Sequence, residues 1–304
     1  MKIGLQIPIV ADRHASRRNC YGAWRDLKVS IITPVLNGAR FLPELTASLA
    51  AQTHSDWEHV IVDGGSTDGS LEIAREWAAR DKRVRLIEAP RLGLYPSIFR
   101  GFDASTGSVL AWLASDDLYT PWALACVVEK ISSTNVQWIT GLPGAWDEAG
   151  QLRYLRPYGR YPQSWIRKGW FHSDFLGHLQ QESMFFTRSL LDRVPEVRRT
   201  EILSIKLAGD FLLWRQLAEL TPLTVVPTVL AGFRFHGGNL SVGGADAYAA
   251  EVRATGAPFP HPRIARLIES LFRNWSAVGT IEIMREADEI LFKSMGTVNR
   301  PPKD

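Results

Sequence analysis

Four aspartates and a histidine carry the chemistry that this sequence can do. Asp63 closes the apolar run His59-Val60-Ile61-Val62 and precedes Gly64-Gly65, the place where a nucleotide-binding sheet offers a carboxylate to a ribose or base. Asp116 and Asp117 stand side by side after the apolar run Ser108 to Leu113. Carboxylates a few ångströms apart resist joint ionisation, and such a pair suits Mg2+ or Mn2+ shared with substrate phosphates. Asp210 lies in the apolar helical stretch Ala208 to Leu213, where burial lifts a carboxyl toward the range of a general base. His236 follows a strand-like run and can give a nitrogen to the same cation, and Glu182 is a further candidate. Each has a plainer reading that stays open. Asp63 can cap the Gly64-Gly65 turn, Asp117 can favour the start of a helix, and Asp210, His236 and Glu182 can be structural.

These residues need a scaffold, and the hydrophobic pattern supplies one. Val29 to Val35 is a β-branched run stopped by proline, His59 to Asp63 a second strand, Arg83 to Ala89 a third and Ser108 to Leu113 a fourth. Between them Phe41, Leu42, Leu45 and Leu49, then Leu71, Ala74, Trp77 and Ala78, recur at helical spacing. Thr120-Pro121 predicts an N-cap with proline at N1, ahead of the apolar face Leu124, Val127, Val128 and Ile131. Alternating strands and helices predict a parallel, doubly wound α/β sheet. Ligands of such sheets sit beyond the carboxyl ends of the strands, where Thr33-Pro34, Asp63 and Asp116-Asp117 all fall. The loop Gly64 to Gly69 has the look of a phosphate cradle, without the lysine of a P-loop or the spacing of G-x-G-x-x-G. Past residue 131 the rhythm changes. Val136 to Thr140 reads as a strand, Trp146 to Gly150 as a hairpin turn, 245–260 as an Ala, Gly and Pro-rich linker, and Ile264 to Trp275 as an amphipathic helix.

Composition sets the outer limits. The 304 residues are 45% hydrophobic and 22% charged, which supports a large core and excludes global disorder. A net charge of +3 is too balanced for nucleic acid to be an expected partner. The 11 Trp hint at surfaces that stack on ring-shaped ligands. Cys20 and Cys126 form no CxxC pair, so free thiols and a reducing, cytoplasmic setting are expected. No run approaches the ~20 apolar residues of a membrane span, and Asp12, Arg13 and His14 stand where a signal peptide would need small residues. Asn239-Leu240-Ser241 and Asn274-Trp275-Ser276 then read as chance matches to a glycosylation site.

In their order along the chain, the segments resemble a family-2 glycosyltransferase with a GT-A fold. The matching text runs from Val29 to Asn37, from Ile61 to Ser70, from Ala104 to Gly107 and through Ser115-Asp116-Asp117. It continues through Gln181-Glu182-Ser183 and Gly209 to Trp214, ending at Phe233-Arg234-Phe235-His236. The resemblance implies a Rossmann-like, mostly parallel sheet flanked by helices, with a helical C-terminal tail. It divides the chain into an extension (1–27), a GT-A domain (28–242, with a nucleotide-binding half at 28–130 and an acceptor-side half at 131–242) and a linker with helical tail (243–304). It also implies transfer of a sugar, with inversion, from a nucleotide diphosphate to an acceptor hydroxyl of a glycan or lipid-linked chain. On this reading Thr33, Pro34, Asn37, Asp63, Ser66 and Asp116 hold the donor. Asp116, Asp117 and His236 bind Mg2+ or Mn2+, Asp210 is the base, and Glu182 and Trp214 face the acceptor.

The chain departs from similar enzymes between the third strand and the aspartate pair. Arg91, Pro96 and Phe99 replace two acidic residues and an asparagine, and Ala114 precedes the pair. Arg91 is expected to meet the diphosphate instead. Arg263, Arg266 and Arg273 flank the tail's apolar stripe, so 262–276 is read either as a peripheral membrane contact or as a packing face, on this domain or on a second copy in a homo-oligomer. The alternatives are a sugar nucleotidyltransferase, which would want a Gly- and Lys/Arg-rich triphosphate loop where Thr33 to Asn37 stands, and a non-catalytic binding module, against which the four aspartates argue.

Overall fold

The computed structural model describes residues 27–155, 161–239, 243–257, 262–275, 280–286 and 289–295. All but the last residue of the expected N-terminal extension, Cys20 included, lies outside them. The first half alternates as its apolar runs predict: β1 (Val29–Val35), α1 (Leu42–Ala50), β2 (Trp57–Asp63), α2 (Ser70–Arg80), β3 (Val84–Glu88), α3 (Leu94–Ala104) and β4 (Val109–Trp112). All of β2 and β4, and all of β1 but Pro34, are buried, as strands covered by helices on both faces must be. After them come β5 (Leu118–Tyr119), α4 (Ala123–Thr134), β6 (Trp138–Thr140), β7 (Gly144–Trp146), β8 (Leu152–Leu155) and α5 (Gln163–Arg167). A 3-10 turn (Gln181–Ser183), β9 (Phe185–Thr187), α6 (Arg188–Asp192), α7 (Glu196–Ser204), α8 (Gly209–Leu220), β10 (Thr224–Val225) and β11 (Ala231–Arg234) follow. The chain continues through α9 (Ala245–Ala254), α10 (Pro262–Trp275), β12 (Thr280–Glu286) and β13 (Glu289–Met295).

Seven strands form the main sheet in the order β10-β6-β9-β4-β1-β2-β3. β9 runs antiparallel to both its neighbours, and the remaining pairs are parallel. A second sheet, β13-β12-β8-β7-β11-β5, lies at the site edge. Its β11 pairs antiparallel with β5, the strand that follows the aspartate pair, and thereby brings residues 231–239 over that turn.

Some elements differ from the sequence pattern. Thr120 is no N-cap: its hydroxyl donates to the carbonyls of Val229 and Leu230, and α4 starts at Ala123 after Trp122. Residues 245–254 form a helix where composition suggests a linker, and Ala249 and Val252 are buried. The tail adds two paired strands to its helix. Among the described residues five tryptophans, Trp57, Trp112, Trp138, Trp170 and Trp214, are buried. Trp214 lies over Trp112 at 5.1 Å and over Trp138 at 5.8 Å, all three buried. The Trp146–Gly150 turn joins β7 to β8 as its composition suggests.

Candidate functional site

The carboxyl ends of β1, β2 and β4 meet at one edge of the main sheet. Gly38 permits the approach: a Cβ there would lie 2.5 Å from the Ser115 hydroxyl, in the turn that presents Asp116 and Asp117. The loop after β2 is fastened to the loop after β1. The Asn37 amide donates to the Ser66 hydroxyl, Asn37 Oδ1 accepts from Thr67, and Asp68 accepts from Ala39. Asp63 Oδ1 accepts from the amides of Gly65 and Ser66, while its Oδ2 is buried without a partner. The amides of residues 65–67 are therefore spent on Asp63 and Asn37, and the expected phosphate cradle does not form. Asn37 and Ser66 shape the loops, and Asp63 keeps one oxygen free.

Thr33 departs from its expected role. Its hydroxyl meets His59 Nε2 at 2.9 Å inside the core. Trp77 Nε1 donates to His59 Nδ1, so a neutral imidazole must carry its proton on Nε2 and donate to Thr33. Burial pushes the pKa of His59 down to about 3, which keeps that ring neutral. The Thr33 side chain is thus withdrawn from any donor, and its neighbour Pro34 is half-buried. Arg91 is exposed on the loop after β3, with its backbone in the left-handed region (φ 63°).

Asp116 and Asp117 point to different surroundings. Asp116 Oδ2 lies 2.8 Å from His236 Nε2 and accepts from Asn239 Nδ2 at 3.2 Å. The Gly238 amide donates to His236 Nδ1, so in the neutral ring Nε2 carries the hydrogen and donates to Asp116. In this arrangement His236 orients Asp116; ligation through Nε2 would need the other tautomer and the loss of the Gly238 bond. Asp117 is buried and accepts from the Arg234 amide. Burial first, then the charges of Asp116 and Glu182, hold its carboxyl well above the usual range, against the opposing pull of Arg234. The Arg234 guanidinium is itself fully buried, 2.8 Å from Glu44 and over the Phe41 ring.

Asp210 opens α8 from the other half of the molecule. Its Oδ1 accepts from the Phe211 amide at 2.8 Å and from the hydroxyl of Tyr248 at 3.2 Å, and Tyr95 Oη lies 3.3 Å away. Those bonds favour the charged form, yet burial outweighs them and lifts the carboxyl to about 6. Glu182 is buried on the 3-10 turn, whose Gln181 side chain donates to the Trp112 carbonyl at the end of β4. Burial and the charges of Asp116 and Asp210 push the Glu182 carboxyl up to about 7, and its Oε1 is buried without a partner. The charges of both Asp116 and Asp210 thus bear on Glu182. Trp214 does not join these residues: stacked in the core, it offers no platform to an acceptor.

Gly209 is likewise crowded, since a Cβ would lie 2.7 Å from the Tyr95 ring. Gly209→Ala is expected to cost about 1–3 kcal/mol of stability and to push Tyr95 away from Asp210. A thermal melt beside the wild type checks it; an unchanged midpoint removes the argument.

The residues present suit a divalent cation shared with a ligand. Among the described residues no three His, Cys, Asp or Glu side chains are gathered into a ready-made cage. Asp117 and Glu182 are nevertheless buried beside Asp116, and burial first, then the neighbouring carboxylates, raises both carboxyls, so a cation would ease their ionisation. Oxygen donors in excess, completed by phosphate oxygens, are what Mg2+ and Mn2+ take.

Asn239, Arg234, Tyr95, Tyr248 and Glu251 escape sequence reasoning. Asn239 reads as half of a chance glycosylation signal, and only Arg234, a charge inside the run Phe233 to Phe235, leaves a local trace.

Comparison with known proteins bears on family and fold. The family described as Glycosyl transferase family 2 matches residues 30–188. A PGL/p-HBAD biosynthesis glycosyltransferase of Mycobacterium tuberculosis is 44% identical over 104 residues, 34% of this chain and 41% of that protein. An uncharacterized glycosyltransferase of Nostoc sp. is 39% identical over 112 residues, 36% of this chain and 34% of that one. The chain thus spans well under half the length of these curated relatives. Among solved structures, S. aureus TarS with UDP-GlcNAc superposes with a TM-score of 0.52 at 19% identity, over 70% of this chain and 60% of that one. The mannosyltransferase PcManGT of Pyrobaculum calidifontis, with GDP-Man and Mn2+, gives 0.54 at 17% identity, over 82% and 71%. These likenesses show the GT-A fold.

Proposed function

The chain belongs to glycosyl transferase family 2, and on that premise we propose that it moves a sugar from a nucleoside diphosphate to an acceptor hydroxyl with inversion. The observation that carries this reading is the pair of fixed carboxylates: Asp116, held by His236 and Asn239 after β4, and Asp210, held by the Phe211 amide and Tyr248 at the start of α8. A donor diphosphate at the turn and an acceptor hydroxyl at Asp210 then meet across the anomeric carbon. That TarS was solved with UDP-GlcNAc and PcManGT with GDP-Man supports a nucleotide sugar as donor.

The chain's residues divide the work. The free Oδ2 of Asp63 takes a hydroxyl or N–H of the nucleoside. Arg91, exposed and tied by its amide to the Gly64 carbonyl, is the proposed partner of the diphosphate. Asp116, fixed by His236 and Asn239, and Asp117 would hold Mg2+ or Mn2+, whose charge offsets that building up on the departing diphosphate. Asp210 takes the acceptor proton as the oxygen forms its bond to the anomeric carbon and the carbon–diphosphate bond breaks. One carboxylate serves a single in-line displacement, whereas a retaining double displacement needs a second as nucleophile.

A glycan or lipid-linked chain is the proposed acceptor, in surface polysaccharide or lipid-linked glycan synthesis. No helix among the described residues is long and apolar enough to cross a membrane. On α10, Ile268 packs with Trp170 and Phe175, while Ile264 and Leu267 remain exposed beside Arg263 and Arg266. That exposed side is the proposed peripheral contact at the cytoplasmic membrane face.

Calorimetric titration with UDP-, GDP- and dTDP-linked sugars, with Mn2+ and then with chelator, tests the reading. Heat with one nucleotide that disappears on chelation is expected. Heat indifferent to chelation removes the cation, and silence with all three donors removes the donor class.

A further inference from the structure

We propose that Tyr248 is a positioning residue for Asp210: its hydroxyl fixes Oδ1 of that carboxylate and leaves Oδ2 to take the acceptor's proton. The inference rests on Asp210 being the base, and it adds an element, α9, that lies beyond the family-matched residues 30–188.

Three observations carry it. First, α9 is latched to the start of α8. Glu251 accepts from the amides of Lys206, Leu207 and Ala208 at 3.2, 2.8 and 2.9 Å, and so pins the segment that leads into α8, whose N-cap is Ala208. Val252 and Ala249 are buried alongside. Second, Tyr248 lies one turn before Glu251 on the same helix, and its hydroxyl reaches Asp210 Oδ1 at 3.2 Å, while His178 packs edge-on against its ring. Third, the two tyrosines facing Asp210 are not equivalent. Tyr95 Oη is 2.6 Å from the Leu207 carbonyl and 3.3 Å from Asp210. A phenol has one proton, and that of Tyr95 goes first to the carbonyl. The Tyr248 proton is the one directed to the carboxylate.

The groups facing Asp210 are Tyr95 from α3, Tyr248 from α9 and Glu182 from the 3-10 turn; Glu251 and His178 flank Tyr248. Of these, Tyr248 directs its proton to the carboxylate and favours its charged form. Removing the Tyr248 hydroxyl must therefore make Asp210 harder to ionise.

The test uses the full chain labelled with 13C at aspartate carboxyls, with the Asp210 resonance assigned by its loss in Asp210→Asn. Its titration is followed from about pH 4 to about pH 9, a span that covers ordinary and raised carboxyls. In Tyr248→Phe the midpoint is expected to move up by about half a unit or more. Turnover of the nucleotide sugar found by calorimetry is expected to fall about tenfold in kcat with KM for the donor unchanged, the effect of losing a hydrogen bond to a charged group. A purely structural loss would lower the melting temperature and leave the midpoint in place, and an unmoved midpoint overturns the proposal. A second measurement needs no variant at position 248. In the wild type labelled at tyrosine Cζ, one resonance is expected to follow the Asp210 midpoint and to lose that response in Asp210→Asn. If no tyrosine does so, the proposal falls. Should Asp210→Asn retain transfer, the base assignment fails instead, whatever the tyrosine signals show.

Discussion

Asp210→Asn is expected to lower transfer by about 10²- to 10⁴-fold, the range lost with a general base, while donor binding stays at its wild-type value. The side chain keeps its shape and can still accept from Phe211 and Tyr248 through its oxygen, so α8 should hold its place. What disappears is the basic oxygen. In the wild type, burial lifts this carboxyl to about 6. Turnover should therefore rise with pH through that value and level off above about pH 7, where the group is ionised. Calorimetry for the donor and initial rates for nucleoside diphosphate release separate the two halves of the claim. An Asn variant that binds donor and still turns over would remove Asp210 as base. A variant that loses donor binding as well would place Asp210 on the nucleotide side.

Much of the site can be read from the chain because its parts lie at strand ends, and strand ends are marked by where apolar runs stop. Asp63 and Asp116-Asp117 follow β2 and β4, and a parallel sheet places such positions along one edge. The direction of each side chain is harder to read. Thr33 shares the β1 face of Ile31 and Val35, since alternate residues of a strand point the same way, and those two belong to the core. Its hydroxyl was therefore bound inward, although its position beside Pro34 suggests the ligand edge. Trp214 belongs to an apolar helix face and sits in a three-ring stack; aromatic count alone cannot distinguish that from a sugar platform. The bonding of His236 depends on the Gly238 amide, a backbone contact with no trace in residue type. Tyr248 is the plainest case. It stands in an Ala-rich segment without strong helical patterning, and what gives it meaning is Glu251 latching onto amides more than 40 residues earlier in the chain. Local propensity carries no information about such a partner.

Glu182→Gln should stabilise the protein near neutral pH even as it weakens the site. The carboxyl is buried, has one oxygen without a partner, and is pushed from an ordinary 4.5 to about 7 by burial and by Asp116 and Asp210. A carboxyl with a raised folded-state pKa holds its proton more tightly folded than unfolded, so stability falls as pH climbs from about 4.5 to about 7. Above that interval the full penalty is present, and below it there is none. A neutral glutamine removes the penalty and places a donor among the carboxylates. The gain is expected to be about 1–3 kcal/mol above pH 7 and to vanish below about pH 4.5. Thermal melts of wild type and variant across that range, in chelator so that no cation neutralises the cluster, read it directly. A gain of equal size at every pH would mean improved packing and would remove ionisation as its cause. A loss at neutral pH would mean that Glu182 is ionised and paired in the folded protein. On the functional side the variant has one charge fewer for a cation to offset, so Mn2+-dependent donor binding should weaken. The same buried charge thus destabilises the empty fold and prepares it for the ligand.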